Sequence, residues 1–136
     1  MDAEGVRFTH HSPIKQMNPQ LDKILCETFP KLYSKRRASM IESCMHWGFE
    51  CGDGWFLIVW QLSEQLEKLG CVAAQVKEKF GGLRFYLEGY TDEAVSAIEM
   101  AEERALRTCD VCGDAGSINN SGWLSVRCDD HKKQAL

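Results

Sequence analysis

At 136 residues the chain has room for one domain with a real core and little for a second. Apolar residues make up 44% and charged residues 26%, a balance that excludes an intrinsically disordered chain. The formal net charge of −4 excludes an overall basic field that coats nucleic acid and leaves room only for local basic patches.

The opening residues, Met1–Gly5, lack the basic start and apolar stretch of a secretion signal. Residues 1–17 show no periodicity and read as a flexible N-terminal arm, with residues 18–136 as the single domain. Within that domain, residues 18–107 supply helices and a hairpin, and residues 108–136 a zinc module.

Asn18-Pro19 is a helix start, a capping residue followed by proline at the first helical position. Leu21, Ile24, Leu25 and Phe29 then share one face, and Pro30 ends the run. A second helix is expected over Ser34 to Trp47, with Ala38, Ile41 and Met45 inward and Gly48 at its end. Asp53 is the expected N-cap of a third helix, Trp55 to Leu69, which Gly70 closes. Its first turns, Trp55 to Trp60, form the longest apolar run, far short of the roughly 20 residues a membrane helix needs. No membrane partner is expected.

Val72 to Glu88 alternates with the period of a strand. Gly81-Gly82 reads as a two-residue hairpin turn, since both glycines tolerate positive φ. That turn sets Lys79 opposite Arg84 and Lys77 opposite Tyr86, on the face away from Phe80, Leu83 and Phe85. Like charges across a strand pair are unfavourable unless something anionic meets them. Lys77, Lys79, Arg84 and Tyr86 are therefore the candidate partner-binding face, set against the plainer reading of a solvated polar surface. Thr91 starts a further helix, with Ala94, Ile98, Ala101 and Ala105 on its inner side.

Cys109-x-x-Cys112-Gly113 and Cys128-x-x-His131 pair two metal-ligand units at zinc-finger separation. The glycine after the second cysteine permits the positive φ that a metal knuckle needs. Between the units, Ile118, Asn119–Gly122 and Trp123–Val126 read as a short hairpin, and Cys128 to Ala135 as a closing helical turn. Knuckle, hairpin and helix make a treble-clef layout. Three thiolates and one imidazole fill a tetrahedral zinc and leave no position for water, so the zinc is structural. Of the seven cysteines, Cys26, Cys44, Cys51 and Cys71 are scattered among apolar neighbours, which fits a reducing cytoplasm better than a disulfide framework.

Glu50, Asp53 and His46 match no catalytic spacing, and Trp47, Trp55 and Trp60 read as core. Arg104, Arg107, Lys132 and Lys133 form a basic rim near the finger, opposed by Asp110, Asp114, Asp129 and Asp130.

Three blocks carry a family resemblance: Glu50-Cys51-Gly52-Asp53-Gly54-Trp55, Gln75 through Tyr86 (QVKEKFGGLRFY), and the closing cysteine/histidine set with Gly122-Trp123. Together they resemble a family of small bacteriophage and prophage zinc-finger proteins over residues 20–131. The resemblance brings no reaction and no catalytic residues. It implies a phage or prophage product in a bacterial cytoplasm that redirects host machinery, by counter-defence or takeover.

The expectation is thus a mainly helical α+β domain with a central hairpin and a C-terminal treble-clef-like zinc module. It acts as a non-enzymatic binding protein that modulates a host protein with an acidic surface. The alternatives are a nucleic-acid-binding regulator using the finger, and a treble-clef nuclease. The second lacks a further histidine motif between His46 and Cys128.

Overall fold

The computed structural model describes residues 15–132. The expected arm lies outside the described residues as far as residue 14. Its last three residues are docked. Met17 is buried and its amide donates to the Phe49 carbonyl at 2.9 Å, while Lys15 pairs with Asp110.

Helix α1 spans Pro19–Thr28, and the Asn18 side chain caps it by accepting from the Gln20 amide at 2.7 Å. The expected helix over Ser34 to Trp47 does not form. Two 3-10 turns, Ser34–Arg37 and Cys44–Trp47, stand there instead, and Ile41 is 93% exposed rather than inward. Two serines explain the break. Ser39 Oγ accepts from the Glu42 amide at 3.3 Å and Ser43 Oγ from the Met45 amide at 3.1 Å. Such local bonds compete with a helical ladder. Arg36 fixes the resulting bend, bonded to Asp22 of α1 at 2.9 Å and to the His46 carbonyl at 2.9 Å.

Phe49–Glu50 forms a short strand, β1, which the sequence pattern did not announce. Asp53–Trp55 is a 3-10 turn leading into α2, Phe56–Lys68, so Asp53 does not cap that helix. Its carboxylate instead accepts from the Asn18 amide at 2.7 Å and ties this turn to the start of α1. Gly70, at φ +77°, ends α2 as expected, its amide donating to the Glu67 carbonyl.

Strands β2 (Ala73–Lys79) and β3 (Gly82–Leu87) are antiparallel, and β1 joins β2 in parallel to give the order β1-β2-β3. The register corrects the expected turn. Lys79 pairs with Gly82, so the two turn residues are Phe80 and Gly81, at φ +54° and +86°. Helix α3, Asp92–Ala105, is capped by Thr91 and buries Ala94, Ile98, Ala101 and Ala105 against α2 and β3. The free edge of β3 is covered: the Phe85 amide donates to Glu102 at 3.4 Å and the Leu87 amide to the Tyr90 hydroxyl at 3.0 Å.

A second sheet, β4 (Ser117–Asn120) and β5 (Leu124–Arg127), precedes the single-turn α4, Asp129–Lys132. The fold is mixed α+β, one small domain. Among the described residues no helix is long and apolar enough to cross a membrane.

Candidate metal centre

Cys109 leaves α3 by a tight turn in which the Gly113 amide donates to the Cys109 carbonyl at 3.0 Å and the Cys109 amide to the Asp114 carbonyl at 2.7 Å. Gly113 takes φ +87°, the left-handed conformation expected of the residue after a knuckle. Cys128 and His131 come from the other side, at the end of β5 and in α4, where the His131 amide donates to the Cys128 carbonyl at 3.1 Å.

These two units meet. One ligand atom from each of Cys109, Cys112, Cys128 and His131 lies within 4.8 Å of all the others, close enough for the four to hold one metal ion. His131 presents Nδ1, 3.1 Å from the Cys128 sulfur and 3.6 Å from that of Cys109. The Cys112 and Cys128 sulfurs are 3.7 Å apart, too far for a disulfide. Cys109 and Cys128 are buried and Cys112 is exposed.

The backbone biases the sulfurs toward ligation. Burial raises the Cys109 thiol, but donation from the amides of Cys128, Cys112 and Val111 outweighs it and brings the thiol down to about 7. The Asp114 amide favours the Cys112 thiolate too. Desolvation and the adjoining Cys128 and Cys109 sulfurs nonetheless push that thiol up to about 12, because thiolates crowd one another when no cation sits among them. Burial raises Cys26 and Cys51, each to about 12, which marks them as inert core thiols.

Three residues hold the knuckle in place: Lys15 and Arg127, which sequence reasoning passed over, and Asp110, which it read only as an acid opposing the basic rim. Asp110 is 1% exposed, and its carboxylate lies between Lys15 and the Arg127 guanidinium, the latter at 2.9 Å. Arg127 also donates to the His131 carbonyl at 3.3 Å, so one buried ion pair links the segments of both ligand units. The available signal was an arginine next to a ligand cysteine inside an apolar strand, with an aspartate next to another.

The Glu50–Trp55 block also serves this centre. A Cβ on Gly52 would lie 2.0 Å from the Asp110 carbonyl oxygen, and one on Gly54 2.2 Å from that of Cys109. Only glycine lets the two backbones approach so closely. Trp55 completes the junction by donating from Nε1 to the Thr108 carbonyl at 2.8 Å. The middle block touches the module as well. A Cβ on Gly81 would meet Ile118 Cδ1 at 3.1 Å and Leu124 Cβ at 3.4 Å.

Lys77, Lys79, Arg84 and Tyr86 do share the outer face of the hairpin, but in another pairing: Lys77 stands opposite Arg84, Tyr86 opposite Gln75. Glu50 lies beside Lys77 in the parallel register. Arg84 folds over Gly82, donating to the Leu83 carbonyl at 3.2 Å. Phe80, expected inward, sits in the turn and is 69% exposed.

The other candidates are not drawn into a site. His46 Nδ1 bonds the Ala38 carbonyl at 3.0 Å. Trp55 is core as expected and Trp60 packs against the core, beside Phe29 and Phe56, but Trp47 is about half exposed. In the basic rim, Arg104 bonds Gln61, Arg107 pairs with Glu103 and Lys132 with Asp129; Lys133 lies outside the described residues.

Comparison with protein-family models, with curated proteins and with solved structures returns no significant match.

Proposed function

We propose that the chain is a non-enzymatic binding protein whose C-terminal third is a treble-clef-like module around one structural zinc ion. The spacing of the ligand atoms carries the zinc assignment. Zinc bonds of about 2.3 Å to sulfur and about 2.0 Å to nitrogen give tetrahedral edges of roughly 3.8 Å between sulfurs and roughly 3.5 Å from sulfur to nitrogen. The Cys112–Cys128 and Cys109–His131 separations, 3.7 and 3.6 Å, match those edges, and the Cys128–His131 separation, 3.1 Å, is shorter than the sulfur–nitrogen edge. A Cys3His set fills the coordination sphere, so the ion staples the fold and activates no water.

Binding is assigned to the outer face of the hairpin, where Lys77, Lys79, Arg84 and Tyr86 offer positive charge and an aromatic ring on a framework braced by the metal module. The partner is a protein with an acidic surface. Following the resemblance to phage and prophage proteins, the proposed target is a host protein in a bacterial cytoplasm, which the chain redirects. The nucleic-acid reading is weaker, because the arginines and lysine of the rim already have local partners.

Affinity purification from the bacterial host, followed by mass spectrometry, tests the assignment. Replacing Lys77, Lys79, Arg84 and Tyr86 by alanine abolishes capture of the partner while leaving the fold and one zinc per chain. Capture that survives the substitutions refutes the binding face, and purified protein without stoichiometric metal refutes the zinc.

A further inference from the structure

Phe80 occupies the first central position of a two-residue turn that requires positive φ at both residues. Its φ of +54° followed by +86° at Gly81 describes a type I′ hairpin turn. Asparagine, aspartate and glycine suit that position; a bulky aromatic is strained there. The strain is not offset by burial, since the ring is 69% exposed. The ammonium of its flanking Lys79 lies over the ring, with Nζ 5.6 Å from the centroid. A residue that is poor for the turn and poor for the core has another use.

The turn beneath it is fixed. Gly81 is buried against Ile118 and Leu124 of the metal module, and its amide donates to Glu78 at 2.8 Å. Gly82 faces Leu106, whose Cδ2 would lie 3.7 Å from an added Cβ. Two further half-exposed apolar side chains border the turn, Ile118 at Gly81 and Leu106 at Gly82. Lys79 flanks the turn and the Arg84 guanidinium lies over Gly82. An apolar tip with a cationic border on a rigid base is the arrangement of an interface anchor.

We propose that Phe80 is the anchor of the contact surface, held out to enter an apolar pocket bordered by carboxylates on a partner protein. Charge complementarity with Lys79 and Arg84 selects the acidic border. The inference deepens the assignment of the hairpin as the binding face and rests on it.

The test uses the zinc-loaded full chain and a synthetic amphipathic peptide of leucine, tryptophan and glutamate, with a lysine-for-glutamate counterpart. Amide chemical shifts are followed for the wild type, Phe80→Asn and the double variant Lys79→Ala/Arg84→Ala. The wild type binds the acidic peptide at least tenfold more tightly than the basic one, with shifts centred on residues 79–82, Leu106 and Ile118. Phe80→Asn loses at least tenfold in affinity. Its melting temperature is nevertheless unchanged or raised by roughly 3 °C, because asparagine suits the turn. Wild-type affinity or a lowered melting temperature in Phe80→Asn overturns the anchor. So does failure of the wild type to bind the acidic peptide, or a preference for a thymidine oligonucleotide. Loss only in the charge variant leaves the face standing without its anchor; loss only in Phe80→Asn leaves the anchor and removes the charged face.

Discussion

The Gly54 amide donates to the Asp110 carbonyl at 3.0 Å, which brings the loop before α2 into backbone contact with the metal knuckle. No side chain fits between them, since a Cβ at Gly54 would meet the Cys109 and Asp110 backbones at 2.2 and 2.7 Å. Gly54→Ala must push the two segments apart, losing the amide bond and disturbing the turn that presents Cys109. It destabilises the protein by about 3 kcal/mol or more, in the upper range for point substitutions. Urea denaturation checks the loss. Gly70→Ala is the contrasting control, because a Cβ there meets nothing within 4 Å and only the positive φ is strained.

Asp110 makes a second, electrostatic link across the same junction. Removing its carboxylate leaves Arg127, 7% exposed, without its counter-charge. Asp110→Ala costs about 3–5 kcal/mol, the usual penalty for breaking a buried pair by deleting one member. Lys15→Met costs less, because the Asp110–Arg127 pair survives it. A double-mutant cycle between positions 110 and 127, read by chemical denaturation, gives a coupling energy well above the roughly 1 kcal/mol of a surface ion pair.

Much of the candidate site was legible because its chemistry lies in short, local patterns. The paired Cys-x-x-Cys and Cys-x-x-His units, Gly113 and the hairpin between them are written within about 25 residues, and local spacing survives folding. The supports were not legible. Gly52 and Gly54 read as turn glycines, and only the tertiary contact with Asp110 shows that they are points of close approach. The failed helix over Ser34 to Trp47 has the opposite cause. Apolar spacing at Ala38, Ile41 and Met45 mimicked a helical face, while Ser39, Ser43 and the reach of Arg36 to Asp22 decided the backbone. The hairpin turn slipped by one residue because Gly81-Gly82 is good turn chemistry by itself. Val76 opposite Phe85 in the core settles the register, and that leaves Phe80 in the turn.

The corrected register makes a prediction for Arg84. It stands directly across from Lys77 on the outer face, a like-charge pair that weakens the hairpin. Arg84→Glu turns it into an attractive pair and leaves stability unchanged or raised by up to about 0.5 kcal/mol. The same substitution abolishes binding to an acidic partner. Thermal unfolding alongside a binding assay separates the two effects. A drop in stability of more than about 1 kcal/mol would show that Arg84 is structural, through its packing over Gly82.

Metal removal ties these relationships together. With zinc in the proposed site, chelation removes it from between Cys109, Cys112, Cys128 and His131, and the knuckle contacts at Gly52, Gly54 and Asp110 loosen together with the packing of Gly81 on the β4–β5 hairpin. The melting temperature falls by more than about 10 °C, since a ligand held far above its dissociation constant contributes several kcal/mol to the folded state. Protection from amide exchange is lost at Gly54 and Gly81 as well as in the module itself. Acid acts in the same direction. Zinc displaces protons from the thiols, and the Cys112 thiol, raised to about 12 without metal, carries one throughout the neutral range. Falling pH therefore favours the metal-free site, and zinc affinity drops at least tenfold per pH unit below neutrality. Competition with a chromogenic chelator between pH 6 and 8 measures that slope, and a flat profile would rule out thiolate ligation.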